Sequence, residues 1–550
     1  MRTEAVILFL FVAISAAAQE PWTEGMLYLT GASSAEELDQ STVDAYEYLH
    51  LHPLRLNESA SGRLSRLLSP YQIASLQDYR HRCGDVLSLQ ELALVDGFSQ
   101  EKAKALAPFV SFDSARRPGE AVNDTVRVHG NTQARVDLKS MGAKVRVHAA
   151  DVVEAGAAYR RYWDGRSSGG TFFVSAGSFV VGDFNLRYGQ GLMLWSGMQI
   201  NSFSTIDTYS RRGGGLSPSW SYSGEGTFRG FAGDYSRGAF GAMAFISETG
   251  AGGRLSATGR SGTFGLNLLA SLDGAFRLSA DVCRNIRGVD VFGEAGLDPL
   301  RGAWAAVGGA KLRLSDNLEA ALRLGAVPSS WSGKSSGEYS LDVGIRHSGG
   351  DYCAIAGKSG FGSSERRSRL DLSARFRLLP IPLKDPRRRE AKLQAGWAFR
   401  VDSLVKTDHR LVLRYRSYEP FRGELRSDVR VSNSLVCMNL RLHGVWSGGP
   451  GGLAYCEAGY TPGDWQLWLR GTVYSTSGWS SRIYVYERDV PGSFSVPACY
   501  GRGASFSVCG GWSRRFQGRY RLKVSGKGSI GIKKPDVVSA GLRLFLSFDF

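Results

Sequence analysis

The end of the chain alternates strictly. Ala540, Leu542, Leu544, Leu546, Phe548 and Phe550 fall on one face, while Gly541, Arg543, Ser547 and Asp549 fall on the other, with Phe545 the exception. Successive side chains of a strand point to opposite faces, so this segment has one apolar and one polar side. Lipid outside and water inside produce that pattern in a membrane β-strand, and a half-buried strand of a soluble sheet produces it too. The alternation recurs upstream. Leu370, Leu372, Ala374, Phe376 and Leu378 alternate with Arg369, Asp371, Ser373, Arg375 and Arg377. The turn Lys384-Asp385-Pro386-Arg387 then leads to Leu393, Ala395, Trp397, Phe399 and Val401 on one face. Val145, Val147 and Ala149 alternate with Lys144, Arg146 and His148, and Leu318, Ala320, Leu322 and Leu324 with Glu319 and Arg323. Residues 411–415, 465–473, 483–486 and 520–524 are further candidate strands. At about 10 residues per strand plus connections, residues 125–550 hold on the order of 20 to 26 strands.

Before residue 115 the period is helical. Ser34-Ala35-Glu36-Glu37 and Ser88-Leu89-Gln90-Glu91 fit the capping box, in which the hydroxyl takes a helical N–H and the Glu returns to the cap. Helices are predicted over 35–51, 59–68, 71–82, 89–95 and 100–106. Their apolar positions (Leu64, Leu67, Leu68; Ile73, Leu76, Tyr79; Leu89, Leu92, Leu94) suit a small shared core. A polar linker, 113–124, separates this domain, 30–112, from the strand region, 125–550. At the start, Arg2 precedes the apolar run Ala5 to Ile14 and the small residues Ala16-Ala17-Ala18, which reads as a signal peptide over 1–18. No other apolar run approaches the roughly 18 residues of a spanning helix, so membrane contact falls to strands.

Composition sharpens the picture. Glycine is 69 of 550 residues, and 21% charged residues coexist with 43% hydrophobic ones, the average that two-faced strands produce. The net charge of +16 is carried mainly by arginine; it suits phosphate-rich partners such as lipopolysaccharide or nucleic acid, or arginines lining a barrel lumen. Trp163, Trp195, Trp304, Trp446 and Trp479, near segment ends, suit interfacial girdles. Seven cysteines show no C-x-x-C pair and the eight histidines no ligand pair, so neither a metal nor a cofactor is expected. Cys499 and Cys509 are spaced to bridge a hairpin. Catalytic patterns are weak: Gly333-Lys334-Ser335-Ser336-Gly337 matches G-x-S-x-G inside a Ser/Gly-rich loop, and neither a Walker loop nor H-E-x-x-H occurs.

Residues 53–112 carry a resemblance. Leu56-Asn57, Asp78-Tyr79-Arg80, Ser88-Leu89-Gln90-Glu91-Leu92, Gly97-Phe98-Ser99 and Leu106-Ala107-Pro108-Phe109-Val110, in that order, resemble the helix-hairpin-helix domain of the DNA-uptake protein ComEA. The resemblance implies phosphate contacts by hairpin N–H groups. Gly97, Phe98, Ser99, Lys102, Lys104, Arg80 and Arg82 become the candidate DNA-binding residues. The hairpins depart from the family pattern: Ser69-Pro70-Tyr71 has no glycine and Gly97-Phe98-Ser99 keeps only one, so docking of a periplasmic protein stands beside DNA binding. Gly182-Asp183-Phe184 through Gly189-Gln190-Gly191-Leu192 to Trp195, with Glu225-Gly226-Thr227-Phe228-Arg229-Gly230, resembles blocks of Bacteroidota-type exported proteins that join such a domain to a barrel. These clustered residues suit a lumenal network or constriction, or simply close strand packing at the glycines. The terminal strand, through Leu546, Phe548 and Phe550, resembles the assembly signal of outer-membrane barrels.

The resulting expectation is a mainly β protein: a large antiparallel transmembrane β-barrel in a bacterial outer membrane, with a small all-α domain facing the periplasm. Its expected partners are outer-membrane lipid and the barrel-assembly machinery, with DNA or a periplasmic protein at the helical domain. Its expected role is non-enzymatic transport or anchoring. The alternative is an outer-membrane hydrolase whose Ser, His and acid meet only in space.

Overall fold

About ten alternating residues suffice to cross a bilayer as a tilted strand, and nearly every such segment of this chain becomes one in the computed structural model. The structure describes residues 21–30, 38, 40–51, 53–57, 64, 67–68, 70–113, 128–149, 153–196, 206–211, 213–237, 239–259, 262–315, 318–332, 338–349, 367–381, 385–400, 405–432, 435–491, 493, 495–516, 520–534 and 537–550. Among these, the closed barrel contains twenty-five strands. The four-residue Gly215–Pro218 pairs only with Phe179–Arg187, so twenty-four form the ring. Each ring strand runs antiparallel to the next along the chain, from Val128–Asp137 to Val537–Asp549, and the last closes on the first. With an even number of strands, both ends of the barrel chain lie at one rim. The two longest described connections, 188–227 and 477–501, lie at the other.

Burial follows the alternation. On the last strand Leu542, Leu544, Leu546 and Phe548 face outward and exposed, while Phe545 and Ser547 are buried inside, so Phe545 is an inward aromatic on the polar face. The seam pairs Leu546 with Ala134 and Phe548 with Thr132, and Gly130 and Phe550 exchange backbone hydrogen bonds of 2.8 and 2.9 Å. Phe548 stacks on Phe550 and on Tyr520, placing an aromatic cluster at this rim. Trp163, Trp304, Trp446 and Trp479 are exposed near the opposite rim, whereas Trp195 is half-buried in connection 188–227. One expected strand is not in the wall: Ile483–Tyr484 pairs with Ala498–Cys499 as a small hairpin inside connection 477–501. The Cys499 thiol there is free, so no disulfide joins it to Cys509.

The helical domain holds α1 (Pro21–Thr30), α2 (Gln40–Leu51), α3 (Pro70–Cys83), α4 (Leu89–Leu92) and α5 (Gln100–Leu106). Helix α1 lies ahead of the boundary expected at residue 30, yet its Trp22, Met26 and Leu29 join Leu64, Leu67, Leu68, Ile73, Leu76, Leu92 and Phe109 in one core. Leu94 is exposed instead. At α4, Ser88 Oγ accepts from Glu91 N at 3.2 Å as the capping box predicts, but the Glu91 carboxylate accepts from Leu87 N rather than from the cap. Signal peptide 1–18, the Ser34 to Glu37 box, most of 59–68, linker residues 114–124 and the side chains of 367–389 fall outside what is described. No helix among the described residues is long and apolar enough to cross a membrane.

Because the ring has no free edge, its closing strand matters more than its small area suggests. Deleting Leu546 to Phe550 leaves Gly130, Thr132 and Ala134 without pairing partners, and the chain is expected to lose the folded band that migrates faster unheated than boiled on a mild-detergent gel. Retention of that band after the deletion would contradict the seam.

Candidate functional site in the barrel interior

The interior is polar, and many of its described charged side chains are paired. Arg146 bonds Glu154, Arg323 lies 3.5 Å from Asp342, and Arg277 lies 3.6 Å from Asp298. A buried ion left single costs about 3–5 kcal/mol, so such pairing is what the fold requires. One network extends further. Arg254 grips Asp281, Asn267 donates to Asp281 at 2.9 Å and to Ser279 at 3.0 Å, and Ser279 donates to Glu294 at 2.9 Å.

Glu294 is where connection 188–227 attaches. Its carboxylate accepts from Gln190 N at 2.7 Å and Leu192 N at 3.1 Å, and the Gln190 side chain accepts from Arg211 N at 2.9 Å. The turn is possible because Gly189 adopts a φ of +66°, and a Cβ there would sit 2.6 Å from Glu294 Oε2. Burial pushes the Arg211 guanidinium below its ordinary value, with Glu294 and Glu338 acting in the opposite direction. Asp183, also buried, accepts from Arg229 Nε at 2.9 Å and Phe172 N at 2.8 Å. The Gly-Gln-Gly turn therefore joins the lumenal Glu294 network, whereas Arg229 pairs with Asp183 beside the exposed Phe172 ring, and Gly182 and Gly230 serve close strand packing, a Cβ there falling 2.3 Å from Phe172 O and 2.0 Å from Ile246 O. Further along, Trp220 donates to Val145 O at 3.0 Å, and Lys144 sits 4.5 Å from the Tyr222 ring. The connection thus folds back over the inner wall.

Connection 477–501 folds inward as well. Asp489 bonds Arg543 and lies 3.7 Å from Lys527; Arg470 donates to Tyr486 O at 2.6 Å, and Arg488 lies 3.6 Å above the Trp468 ring. Burial pushes its Cys499 thiol up to about 11.

From the termini-side rim, the helical domain enters the lumen. Tyr48 of α2 bonds the inward His148, is capped by Arg146 at 4.1 Å and meets Trp220 edge-on at 5.9 Å. Glu47 pairs with the inward Lys523 at 3.2 Å, and α3 lies beside strands Gly250–Gly259 and Gly262–Ser271. The domain expected to face the periplasm is thus seated in the barrel mouth. Two aromatic contacts and one ion pair hold it against the wall where sequence reasoning had only a linker.

The candidate DNA-binding residues mostly serve the domain itself. Gly97 has the positive φ, +82°, that the hairpin needs, but its carbonyl accepts from Gln72 Nε2 at 2.9 Å and Lys102 Nζ at 3.4 Å. Phe98 is buried in the core, and Ser99 caps α5 by accepting from Lys102 N at 3.2 Å. Arg80 bonds Asn57 O and lies 3.5 Å from Asp85, and Arg82 pairs with Asp78; Lys104 is exposed. Asn57 is itself buried, bonding Val86 and Phe112 across the domain. Tyr79 donates to Glu91 at 2.8 Å; the Leu87 N–H and this hydroxyl hold the Glu91 carboxyl below its ordinary value. Among the described residues, no group of three or more His, Cys, Asp or Glu is placed to hold a metal. Ser427 Oγ lies 2.9 Å from His409 Nδ1, but beside Trp397 on the outward face rather than in the lumen.

Replacing Gly189 by Ala strains the positive-φ turn and pushes on Glu294, which should weaken the attachment of 188–227 by about 1–3 kcal/mol. Limited proteolysis of the folded protein is expected to cut that connection faster in Gly189→Ala, with the heat-modifiable band unchanged. Equal cutting rates would show that the turn does not hold the loop.

No family model and no curated protein matches the chain. Among solved structures, it is similar to Pseudomonas aeruginosa OccK3 (OpdO), at 9% identity over 77% of this chain and 94% of that one, with a TM-score of 0.29. P. aeruginosa OccK10 (OpdN) gives 9%, 77%, 98% and 0.31, and a bacterial polysaccharide outer membrane secretin gives 8%, 56%, 90% and 0.24. Likenesses this slight carry no argument about function.

Proposed function

We propose that the chain is a non-enzymatic outer-membrane transport barrel whose passage is held closed by its own helical domain. The observation that carries this is the seat of α2 against the inward side chains His148, Arg146 and Lys523. Supporting it, the outward faces are apolar and the inward ones charged, as a barrel with lipid outside and water inside requires. Membrane barrels keep short turns in the periplasm and longer loops outside, which assigns the rim with both termini, and with the helical domain, to the periplasm. Assembly through Leu546, Phe548 and Phe550 belongs to the same reading.

In planar bilayers the native chain is expected to conduct little, while Glu47→Ala combined with Tyr48→Ala, or removal of residues 21–113, raises single-channel conductance several-fold. Conductance indifferent to all of these changes would show that the domain does not close the passage.

A second reading concerns the helical domain itself. The positive φ of Gly97 and the exposure of Lys104 favour phosphate-directed DNA binding once the domain leaves the lumen, while exposed Leu87 and Leu94 favour a protein partner. For DNA, titration of the full chain with duplexes of different sequence should give equal affinities that fall steeply with salt, weakened by Lys102→Ala with Lys104→Ala. No binding at low salt well above micromolar protein would leave only the protein partner.

A further inference from the structure

Connection 477–501 has one face that the barrel wall does not cover. Its small hairpin pairs Ile483 with Cys499 and Tyr484 with Ala498. Side chains alternate across such a ribbon, so Ile483, Val485 and Cys499 share one side while Arg482, Tyr484 and Tyr500 share the other. The first side is committed, because those three residues are buried against Val445 and Leu453 on the inward face of the wall. The second side therefore turns away from the wall, into the mouth of the passage at the rim opposite the termini. Trp479, just ahead of the hairpin, joins it by meeting the Tyr500 ring edge-on, with centroids 4.8 Å apart.

Three large rings on this side stay open to water: Trp479 is 55% exposed, Tyr484 46% and Tyr500 38%. A lipid-facing girdle accounts for exposed aromatics on the outer wall, but not for rings carried by a hairpin that packs on the inner wall. Two cations lie among them. Arg482 sits 4.5 Å from the centroid of Trp479 and 5.6 Å from that of Tyr484, and its Nε donates to the Tyr484 hydroxyl at 3.0 Å. Lys533 Nζ lies 3.0 Å from the centroid of Tyr500. Attraction to the ring faces fixes both cations beside the rings. Among the described residues the Arg482 side chain bonds neutral oxygens only, the Tyr484 hydroxyl and Trp479 O at 2.9 Å. The backbone beneath is anchored as well. Arg422 on the wall donates to Ser480 O at 2.8 Å and to Arg482 O at 2.9 Å, and Ser481 Oγ accepts from Gly478 N at 3.3 Å.

We infer that this face is a saccharide-binding platform at the mouth of the passage, taking uncharged oligosaccharides. Several large rings left exposed together on a rigid support mark a binding surface rather than ordinary exposure. A sugar ring carries C–H groups on its faces and hydroxyls around its edge. Its face can lie on Trp479 or Tyr484, while its edge accepts from the remaining N–H groups of Arg482 and Lys533 and exchanges hydrogen bonds with the Tyr484 hydroxyl. Broad apolar contact oriented by a few polar groups is how such ligands are held. Most of the surface offered is ring, so stacking rather than charge sets what it takes. Binding stands on the hairpin alone; its use as an entry step rests on the transport reading.

Its test is calorimetric titration of the full chain with maltohexaose and with cellotetraose, in a detergent without a sugar headgroup. At least one should bind. Trp479→Ala with Tyr500→Ala should weaken binding at least about fivefold, whereas Trp479→Phe, which keeps a ring, should lose little; heat-modifiable migration certifies a folded barrel in each variant. Competition by lipopolysaccharide with its full sugar chain, but not by lipid A, identifies the cell's own surface glycan as an occupant. No competition by either leaves oligosaccharides free in solution. Failure of both oligosaccharides to bind at millimolar concentration overturns the platform, as does binding that survives the double substitution or is displaced by lipid A, which would mark a phosphate site. The readout involves no current, so the platform can fail while the conductance measurements uphold the transport reading, and the reverse.

Discussion

Every feature of this molecule follows from one requirement: a backbone N–H or C=O facing hydrocarbon must find its partner within the protein. A sheet meets that requirement only by closing on itself, and closure here rests on the pairing of Val537–Asp549 with Val128–Asp137. Once the ring closes, the period of two does the rest, sending leucines and valines out and arginines, aspartates and serines in. The inside of a ring of twenty-four strands is too wide for wall side chains to fill. The chain therefore fills it with what it has to spare, two long connections from one rim and the helical domain from the other.

Those insertions are held by directed polar contacts rather than by broad apolar burial. Glu294 clasps the Gly-Gln-Gly turn through two backbone N–H groups, Asp489 holds connection 477–501 to Arg543 and Lys527, and Tyr48 rests between Arg146 and His148. Contacts of this kind are strong where water is excluded and weaken steeply where it enters. The deeply buried turn at Glu294 and the rim contact of Glu47 with Lys523 thus belong to different regimes, one built to stay and one able to part.

What was legible in the sequence is what depends on neighbours along the chain. The terminal alternation, the number of strands, the Ser88 cap and the positive φ at Gly97 are local, and local spacing reveals them. Helix α1 escaped because it adjoins the apolar segment that reads as an export signal and carries no capping motif, and Phe98 reads as a hairpin residue when its ring is needed by the core. Residues 483–486 have a strand's composition, but their partner, Ala498–Cys499, lies inside the same connection. The lumenal network was open to suspicion from the clustered Gly, Asp and Gln, yet its key member, Glu294, stands 104 residues from Gln190.

The covalent route from the helical domain to the wall adds one more consequence. Asp113 is the last described residue of the domain and Val128 the first of the barrel. Fifteen peptide units at about 3.5 Å each allow a reach of some 50 Å, comparable to the diameter of the ring. That reach would let the domain leave its seat without any strand unpairing. It would nonetheless remain confined to a small volume near its seat, at an effective concentration in the millimolar range. Reclosure would then outcompete any soluble ligand of the seat present at ordinary concentrations, and opening would be brief unless something outside the barrel held the domain away.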